Sequence, residues 1–461
     1  MSDRTSPATA AILTLGCKLN IADSEAMARR LRDAGWNVVD RLTPDTGARA
    51  VIVNSCSVTH VADQKSRHLV RLARRLAPDA TVAFTGCMLE TAPRDQLDAL
   101  AADLIYHQPN QLALADRLIQ MHPVLQPAEF PLPSPTSPLP RQGEGESEDA
   151  APRPSQAPHL TAPRTRTLKT RAFISAQEGC NDLCAFCIIP KTRGRERSKS
   201  VDAVVAEALA REAEGVQEIV ITGTQLGAYG RDWGHRTPYP VLKALIDQTS
   251  IPRIRMSSLQ PQDLSDEVID LWQSPRLCRH FHLALQSGSA AVLQRMRRRY
   301  TRDEYRDAVR RLRNASPDVA ITTDVIVGFP GETEAEFEAS FAFCEEIQFA
   351  GIHVFPYSQR SGTVAFKMPD QVSDPVKKQR VHRLIELADR MSAAYRARFL
   401  GQTTAVLWEP RRGGAWEGLT DTYIRVRAES STDLTNQLTS ALLLDQRDGV
   451  MWAQITEEVT P

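Results

Sequence analysis

The sequence predicts an α/β protein with a parallel α/β domain at 1–122, a partial (β/α)6 barrel at 169–398 and a small β-barrel at 399–461. Three observations carry this expectation. Strand-like and helix-like apolar patterns alternate through the first and middle stretches, as they do where helices cover a parallel sheet. Short strand-like runs fill the last stretch. Residues 123–168 hold eleven of the chain's 29 prolines and the acidic run EGESED, with almost no apolar period, and read as a disordered linker.

In the first domain, strands are expected at Ala11–Leu15, Ala50–Asn54 and Thr81–Thr85, with helices near Ala22–Ala34 and Val61–Leu76. A βαβαβ order implies right-handed crossovers, so all strand carboxyl ends share one edge, where ligand sites form. A cysteine follows each strand: Cys17 in LGCKLN, Cys56 in NSCSVT and Cys87 in TGCMLE. One such thiol would be ordinary packing. Three at the same topological point favour a metal or cluster site, and the following helices, with Asp23 and Asp63 near their starts, would aim positive dipole ends toward it.

Six strand-then-helix units follow, with strands at RAFISA, QEIVIT, PRIRMS, HFHLALQ, AITTDVIV and GIHVFPY. Val201, Val204, Val205, Ala208 and Leu209 share one helix face that stops at Gly215, and Thr333 with Glu336 can form a capping box. An incomplete barrel should carry its chemistry at the carboxyl ends, its open side admitting a large substrate. The first strand runs into EGCNDLCAFCIIP, where Cys180, Cys184 and Cys187 form CxxxCxxC. Structural zinc wants four ligands and no fourth is close, whereas three soft thiolates suit a [4Fe-4S] cluster with one open iron. Cys278 and Cys344 read as packing residues. The strand-end polar residues Thr222, Gly223, Ser257, Gln286 and Asp324 stand where a barrel places its site.

Charge and hydropathy narrow the class. Lys and Arg together number 56, as do Asp and Glu, so the chain has no global basic coat. Local patches are enough to bind a polyanion, with candidates at Lys65–Arg75, Arg295–Arg299, and Arg425 with Arg427; the plain alternative is solvated helix faces. No stretch reaches the ~20 apolar residues that span a bilayer, and the first residues lack a secretory pattern. A cytoplasmic protein with reduced thiols is expected.

CxxxCxxC at the end of a first barrel strand resembles the radical S-adenosylmethionine (SAM) superfamily. The resemblance implies that the open iron chelates SAM, that an electron delivered through the cluster cleaves SAM to a 5'-deoxyadenosyl radical, and that Phe186 lies against the cofactor. GCKLN, NSCSVTHVADQKSR, HLALQSGS, TTDVIVGFPGETEAEF and HVFPYSQRSGT narrow the likeness to the methylthiotransferases, in particular the branch acting on N6-threonylcarbamoyladenosine in tRNA. That family implies a second [4Fe-4S] cluster on Cys17, Cys56 and Cys87. It implies SAM contacts at the strand-end residues, the turn at Gly328–Glu332 closing over the cofactor, and methylthio transfer to C2 of adenosine 37. The last segment resembles the TRAM domain, which implies an RNA face bearing Tyr423, Arg425, Arg427 and Trp416, joined by Lys65 and Arg67. A monomer served by a reducing electron-donor protein is expected. The alternatives are a methylthiotransferase for isopentenyladenosine in tRNA or for a ribosomal-protein aspartate, and a non-catalytic metal-containing RNA-binding module.

Overall fold

The computed structural model describes residues 8–108, 110–123, 170–411 and 413–458. Nearly all of the proline-rich segment lies outside the described residues.

The first sheet is all parallel, in the order β2-β1-β3-β4-β5, with β1 Thr9–Thr14, β2 Asn37–Val39, β3 Ala48–Ser55, β4 Thr81–Gly86 and β5 Leu104–Tyr106. β3 is central and buried on both faces, so Val51, Ile52 and Val53 form an unbroken apolar run. The edge strands β2 and β5 have only three residues each, too short for a periodic signal, and they extend the expected three-strand core. The first helix runs Lys18–Asp33, starting four residues ahead of expectation; Cys17 itself is its N-cap. The second, His60–Leu76, is capped by the Thr59 hydroxyl, which accepts from the Ala62 amide.

The middle domain is a curled half-barrel made of two sheets. β6 Arg171–Glu178, the two-residue β7 Arg197–Ser198, β8 Glu218–Gly223 and β9 Arg253–Met256 lie in the order β7-β6-β8-β9, and β10 Ser258–Leu259, β11 His280–Leu283, β12 Ala320–Val327 and β13 Gly351–Pro356 lie in chain order. β9 and β10 are one strand bent at Ser257, so it hands the sheet from one half to the other. Six parallel strands result, as the six sequence units require. Helices flank them, with the expected capping box at Thr333 and Glu336 and a helix at Val201–Ala213.

The last domain is a closed five-stranded barrel, β14-β15-β16-β18-β17, from β14 Thr403–Trp408, β15 Trp416–Thr420, β16 Arg425–Ala428, β17 Leu438–Arg447 and β18 Val450–Glu458. Its core holds Trp408, Val426, Leu443 and Met451.

The open side of the half-barrel is not free. Helix Lys18–Asp33 packs along β6, where Ile21 and Ala22 meet Phe173 and Val220. Near the far edge, Arg360, beyond β13, donates to Asp63 at 2.7 Å and to the Ser57 carbonyl at 2.5 Å. The N-terminal domain thus spans the gap, with the cysteine-bearing edge of its sheet facing the lumen.

Candidate active site

One polar chain fixes the three N-terminal cysteine loops. The Asn20 amide nitrogen donates to the Leu15 carbonyl at 2.9 Å and the Ser55 carbonyl at 2.8 Å, joining the loops after β1 and β3. The Ser55 hydroxyl donates to the Thr85 carbonyl at 2.7 Å and accepts from the Met88 amide at 3.3 Å, joining β3 to the loop after β4. Gly86, immediately before Cys87, has φ of 100° and a virtual Cβ only 2.4 Å from the Ser55 carbonyl, so only glycine fits this close approach. Cys17, Cys56 and Cys87 consequently line a single cavity of ≈560 Å³.

The other wall of that cavity is the half-barrel. Of the strand-end residues read from the sequence, Thr222, Gly223, Ser257 and Asp324 line it. Gln286 does not: its backbone, at φ of 67°, bridges to β12, its amide donating to the Asp324 carbonyl at 2.8 Å. Phe186 is off this wall, half-buried against a satellite cluster with Ala185, Phe329 and Tyr357. The Gly328–Glu332 turn is tied down from within, where the Glu332 carboxylate accepts from the Gly328 amide and pairs with Arg380 at 2.8 Å.

Cys180, Cys184 and Cys187 share one short loop beside the carboxyl end of β6. The Cys180 amide donates to the Gly194 carbonyl at 3.1 Å, the Cys187 amide to the Cys184 carbonyl at 3.1 Å, and the Ala185 amide to the Met296 carbonyl at 3.0 Å. Burial pushes the Cys180 thiol up to about 11 and Cys187 to about 12, and in the other set it pushes Cys87 to about 11 and raises Cys56. Without a metal these groups are protonated at neutral pH, so ligation must release protons.

Two arginines answer the thiol sets. Arg298 Nη1 lies 3.3 Å from Cys184 Sγ. Arg193, at the end of the short helix Ile189–Thr192, donates to Asn20 at 2.8 Å and Asp23 at 2.9 Å and interacts electrostatically with Cys87 and Cys17. Each guanidinium keeps one buried nitrogen without an acceptor, Nη1 of Arg193 and Nη2 of Arg298. Thiolate-ligated sulfide clusters would supply both the acceptors and the negative charge, so the donor sets fit iron-sulfur groups. Ser257 Oγ and Thr224 Oγ1, also buried and unpartnered on the cavity wall, leave polar groups for SAM.

The RNA-face residues separate. Arg425 and Arg427 both reach Glu417, at 3.4 and 2.5 Å, on the barrel surface. Tyr423 turns the other way: its left-handed backbone, φ 65°, carries the ring into the cavity, stacked on His280 with centroids 4.0 Å apart and planes 3° apart. Trp416 is buried, its ring nitrogen donating to the Ser430 carbonyl, which leaves no face for a base. Lys65 is exposed on helix His60–Leu76, and Arg67 reaches Gln96 at 3.4 Å. The run at 295–299 is divided: Arg295 pairs with Glu336 and Arg298 meets Cys184, whereas Arg297 and Arg299 are exposed, Arg299 pairing with Asp182.

Lys18, Arg193, His280, His282 and His353, none of them expected from the sequence, also stand on the cavity wall. The strand histidines had a signal. His280 and His282, like Thr322 and Asp324, are two apart, which places them on one face of a strand, here the lumenal one. His282 and Asp324 meet at 3.2 Å. Burial, with Arg255 and Lys18 nearby, holds His280 well below the ordinary imidazole value, so it stacks as a neutral ring. Burial, with Arg255 and Arg171 near, lowers the Lys18 ammonium to about 8.

A half-barrel with a three-cysteine loop at its first strand end, facing a polar lumen, defines a radical SAM enzyme, and the Radical SAM superfamily model matches residues 174–344. Residues 9–106 match the model described as Uncharacterized protein family UPF0004. The chain is 35% identical to the threonylcarbamoyladenosine tRNA methylthiotransferase MtaB of Bacillus subtilis, over 95% of this chain and 94% of that protein. It is 31% identical to the tRNA-2-methylthio-N(6)-dimethylallyladenosine synthase of Caldicellulosiruptor saccharolyticus, over 94% and 89%. The radical SAM methyltransferase TsrM of Kitasatospora setae, 16% identical with a TM-score of 0.50 over 76% of this chain and 72% of that one, shares the fold. The chain belongs to the radical SAM methylthiotransferase family and is an enzyme of that family. Membership implies a [4Fe-4S] cluster and SAM. No helix among the described residues is long and apolar enough to cross a membrane.

Proposed function

We propose that the protein converts N6-threonylcarbamoyladenosine at position 37 of tRNA to its 2-methylthio derivative, using two [4Fe-4S] clusters and two SAM molecules. One observation carries the reading: Cys17, Cys56 and Cys87 line the same cavity as the strand ends of the half-barrel, and Ile189 and Arg193, which directly follow the Cys180–Cys187 loop in the chain, stand on its wall. When bound, the clusters and SAM supply the electron, the radical and the methylthio group that an inert aromatic C–H bond requires. Cys180, Cys184 and Cys187 would hold the SAM-binding cluster, and Cys17, Cys56 and Cys87 the auxiliary one. Arg298 and Arg193 lie against one thiol set each, favouring their deprotonated forms. Thr222, Ser257 and Asp324 offer polar contacts on the barrel side, and the N-terminal domain covers the open side of the half-barrel. Adenosine 37 lies in a single-stranded loop, where a base can be splayed out without melting a duplex.

Threonylcarbamoyladenosine is preferred to the dimethylallyl substrate on the 35% identity to the Bacillus subtilis enzyme across nearly the whole of both chains. Nucleoside mass spectrometry of tRNA from cells lacking the protein tests class and substrate together. Loss of the 2-methylthio form of threonylcarbamoyladenosine is expected. Loss of the dimethylallyl form instead, or an unchanged tRNA profile, would overturn the reading.

A further inference from the structure

Lys18 stands out on the cavity wall. It opens helix Lys18–Asp33, directs its ammonium into the lumen, and has no hydrogen bond or ion pair among the described residues. The charged groups around it are Arg255 and Arg171, Glu218, which is bound by Arg255 and Arg253, and Asp324. Asp324, the barrel carboxylate on this wall, is already engaged by His282 at 3.2 Å, while His353 adds a second imidazole and Tyr423 with His280 an aromatic floor. A half-buried cation with no partner has lost part of its hydration, and an incoming anion would offset that cost. A site for dimethylallyladenosine, whose N6 substituent is a neutral hydrocarbon, would gain nothing from such a charge. Threonylcarbamoyladenosine differs by bearing a free carboxylate on its N6 substituent.

We propose that Lys18, supported by His353, forms a carboxylate-binding subsite that receives the threonyl carboxylate of the substrate base and so determines substrate choice; this rests on the reading of the substrate given above. The subsite works by difference: a half-buried ammonium rewards the charged base and penalises an uncharged one left opposite it. Thr322 supports the arrangement from behind, its hydroxyl lying 3.1 Å from His282 Nδ1, which keeps the His282 Nε2 edge on Asp324 and leaves Lys18 free for the ligand.

The test compares Lys18→Gln and Lys18→Arg with the unaltered protein, all reconstituted anaerobically with clusters. Binding of anticodon stem-loop RNA carrying threonylcarbamoyladenosine, dimethylallyladenosine or plain adenosine at position 37 is read by anisotropy, and KM and kcat are read by nucleoside mass spectrometry. The unaltered protein should prefer the threonylcarbamoyl stem-loop to the plain one at least tenfold. Lys18→Gln should erase that preference and raise KM more than it lowers kcat, and Lys18→Arg should retain much of it. Iron content reports whether the neighbouring Cys17 loop survives, and tRNA-independent SAM cleavage whether the CxxxCxxC loop does. If Lys18→Gln keeps full iron and the unaltered preference, the subsite is wrong while the substrate reading stands. If the unaltered protein converts only dimethylallyl RNA, both fall. Should Lys18→Gln lose iron, Lys18→Arg decides: full iron with no preference would also overturn the subsite.

Discussion

Arg193 and Asp23 meet at 2.9 Å across the seam between the N-terminal domain and the half-barrel, both side chains almost fully buried. Arg193 follows the CxxxCxxC loop by six residues, and Asp23 sits in the helix that Cys17 caps. One ion pair therefore joins the polypeptide segments that carry the two cysteine sets, and it sets their separation.

Breaking this pair from one side leaves a buried charge uncompensated. Arg193→Ala should destabilise the reconstituted protein by about 3–5 kcal/mol, read as a lowered denaturation midpoint, and should reduce methylthio transfer more than SAM cleavage. Equal stability of the variant and the parent would show that the seam does not depend on Arg193.

Separate thiol sets predict separable iron. Replacing Cys180, Cys184 and Cys187 by alanine should remove roughly half of about eight irons per chain and abolish reductive SAM cleavage. The same change at Cys17, Cys56 and Cys87 should also halve the iron yet retain cleavage. A full iron load in either triple variant, measured by iron and sulfide assay, would refute the assignment.

Gly86→Ala tests how the auxiliary set is positioned. A Cβ there meets backbone, the Ser55 carbonyl at 2.4 Å, at a φ of 100° that other residues avoid. A destabilisation of about 1–3 kcal/mol is expected from the forced strain, with iron lost from the N-terminal set only. Electron paramagnetic resonance of the reduced protein can separate the two signals.

Acid should loosen the C-terminal barrel. Burial alone would raise the Glu218 carboxyl, but Arg255 and Arg253 outweigh it and bring it down to about 2 from an ordinary 4.5. The same arginines donate to the Leu419, Thr420 and Asp421 carbonyls, so Glu218 orients the contact between half-barrel and barrel. The unfolded chain binds this proton near pH 4.5 and the folded one near 2. Stability from this group is therefore full above pH 4.5 and is lost as pH falls toward 2, on the order of 3 kcal/mol in all. Glu218→Gln should flatten that part of the pH–stability curve; an unchanged curve would exclude the mechanism.

The exposed basic residues of helix His60–Leu76 should report on RNA. Lys65, Arg71 and Arg75 are exposed along it, whereas Arg425 and Arg427 share the Glu417 carboxylate. Lys65→Ala with Arg71→Ala should weaken tRNA binding and lower the salt slope by about 1 for each lost phosphate contact. Arg425→Ala with Arg427→Ala should have a smaller effect. A slope insensitive to both pairs would move the RNA surface elsewhere.

Features that depend on local pattern could be read along the chain. Alternating strands and helices, the capping box at Thr333 and Glu336, and the cysteine after each of β1, β3 and β4 are set by short-range periodicity and turn chemistry, so the two α/β domains and the thiol groups were legible without coordinates. What those parts face depends on contacts between distant segments. The inward turn of Tyr423 depends on a left-handed backbone and on His280, 143 positions away in the chain. Arg295 and Arg298 look like part of a solvated basic patch until Glu336 and the Cys184 loop are folded against them. Lys18 and Arg193 carry no periodic signal at all, and their roles arise because the N-terminal domain closes the side of the half-barrel. Burial and pairing across such a seam are non-local, and a linear pattern of apolar and polar residues holds no record of which charges will lose their water together.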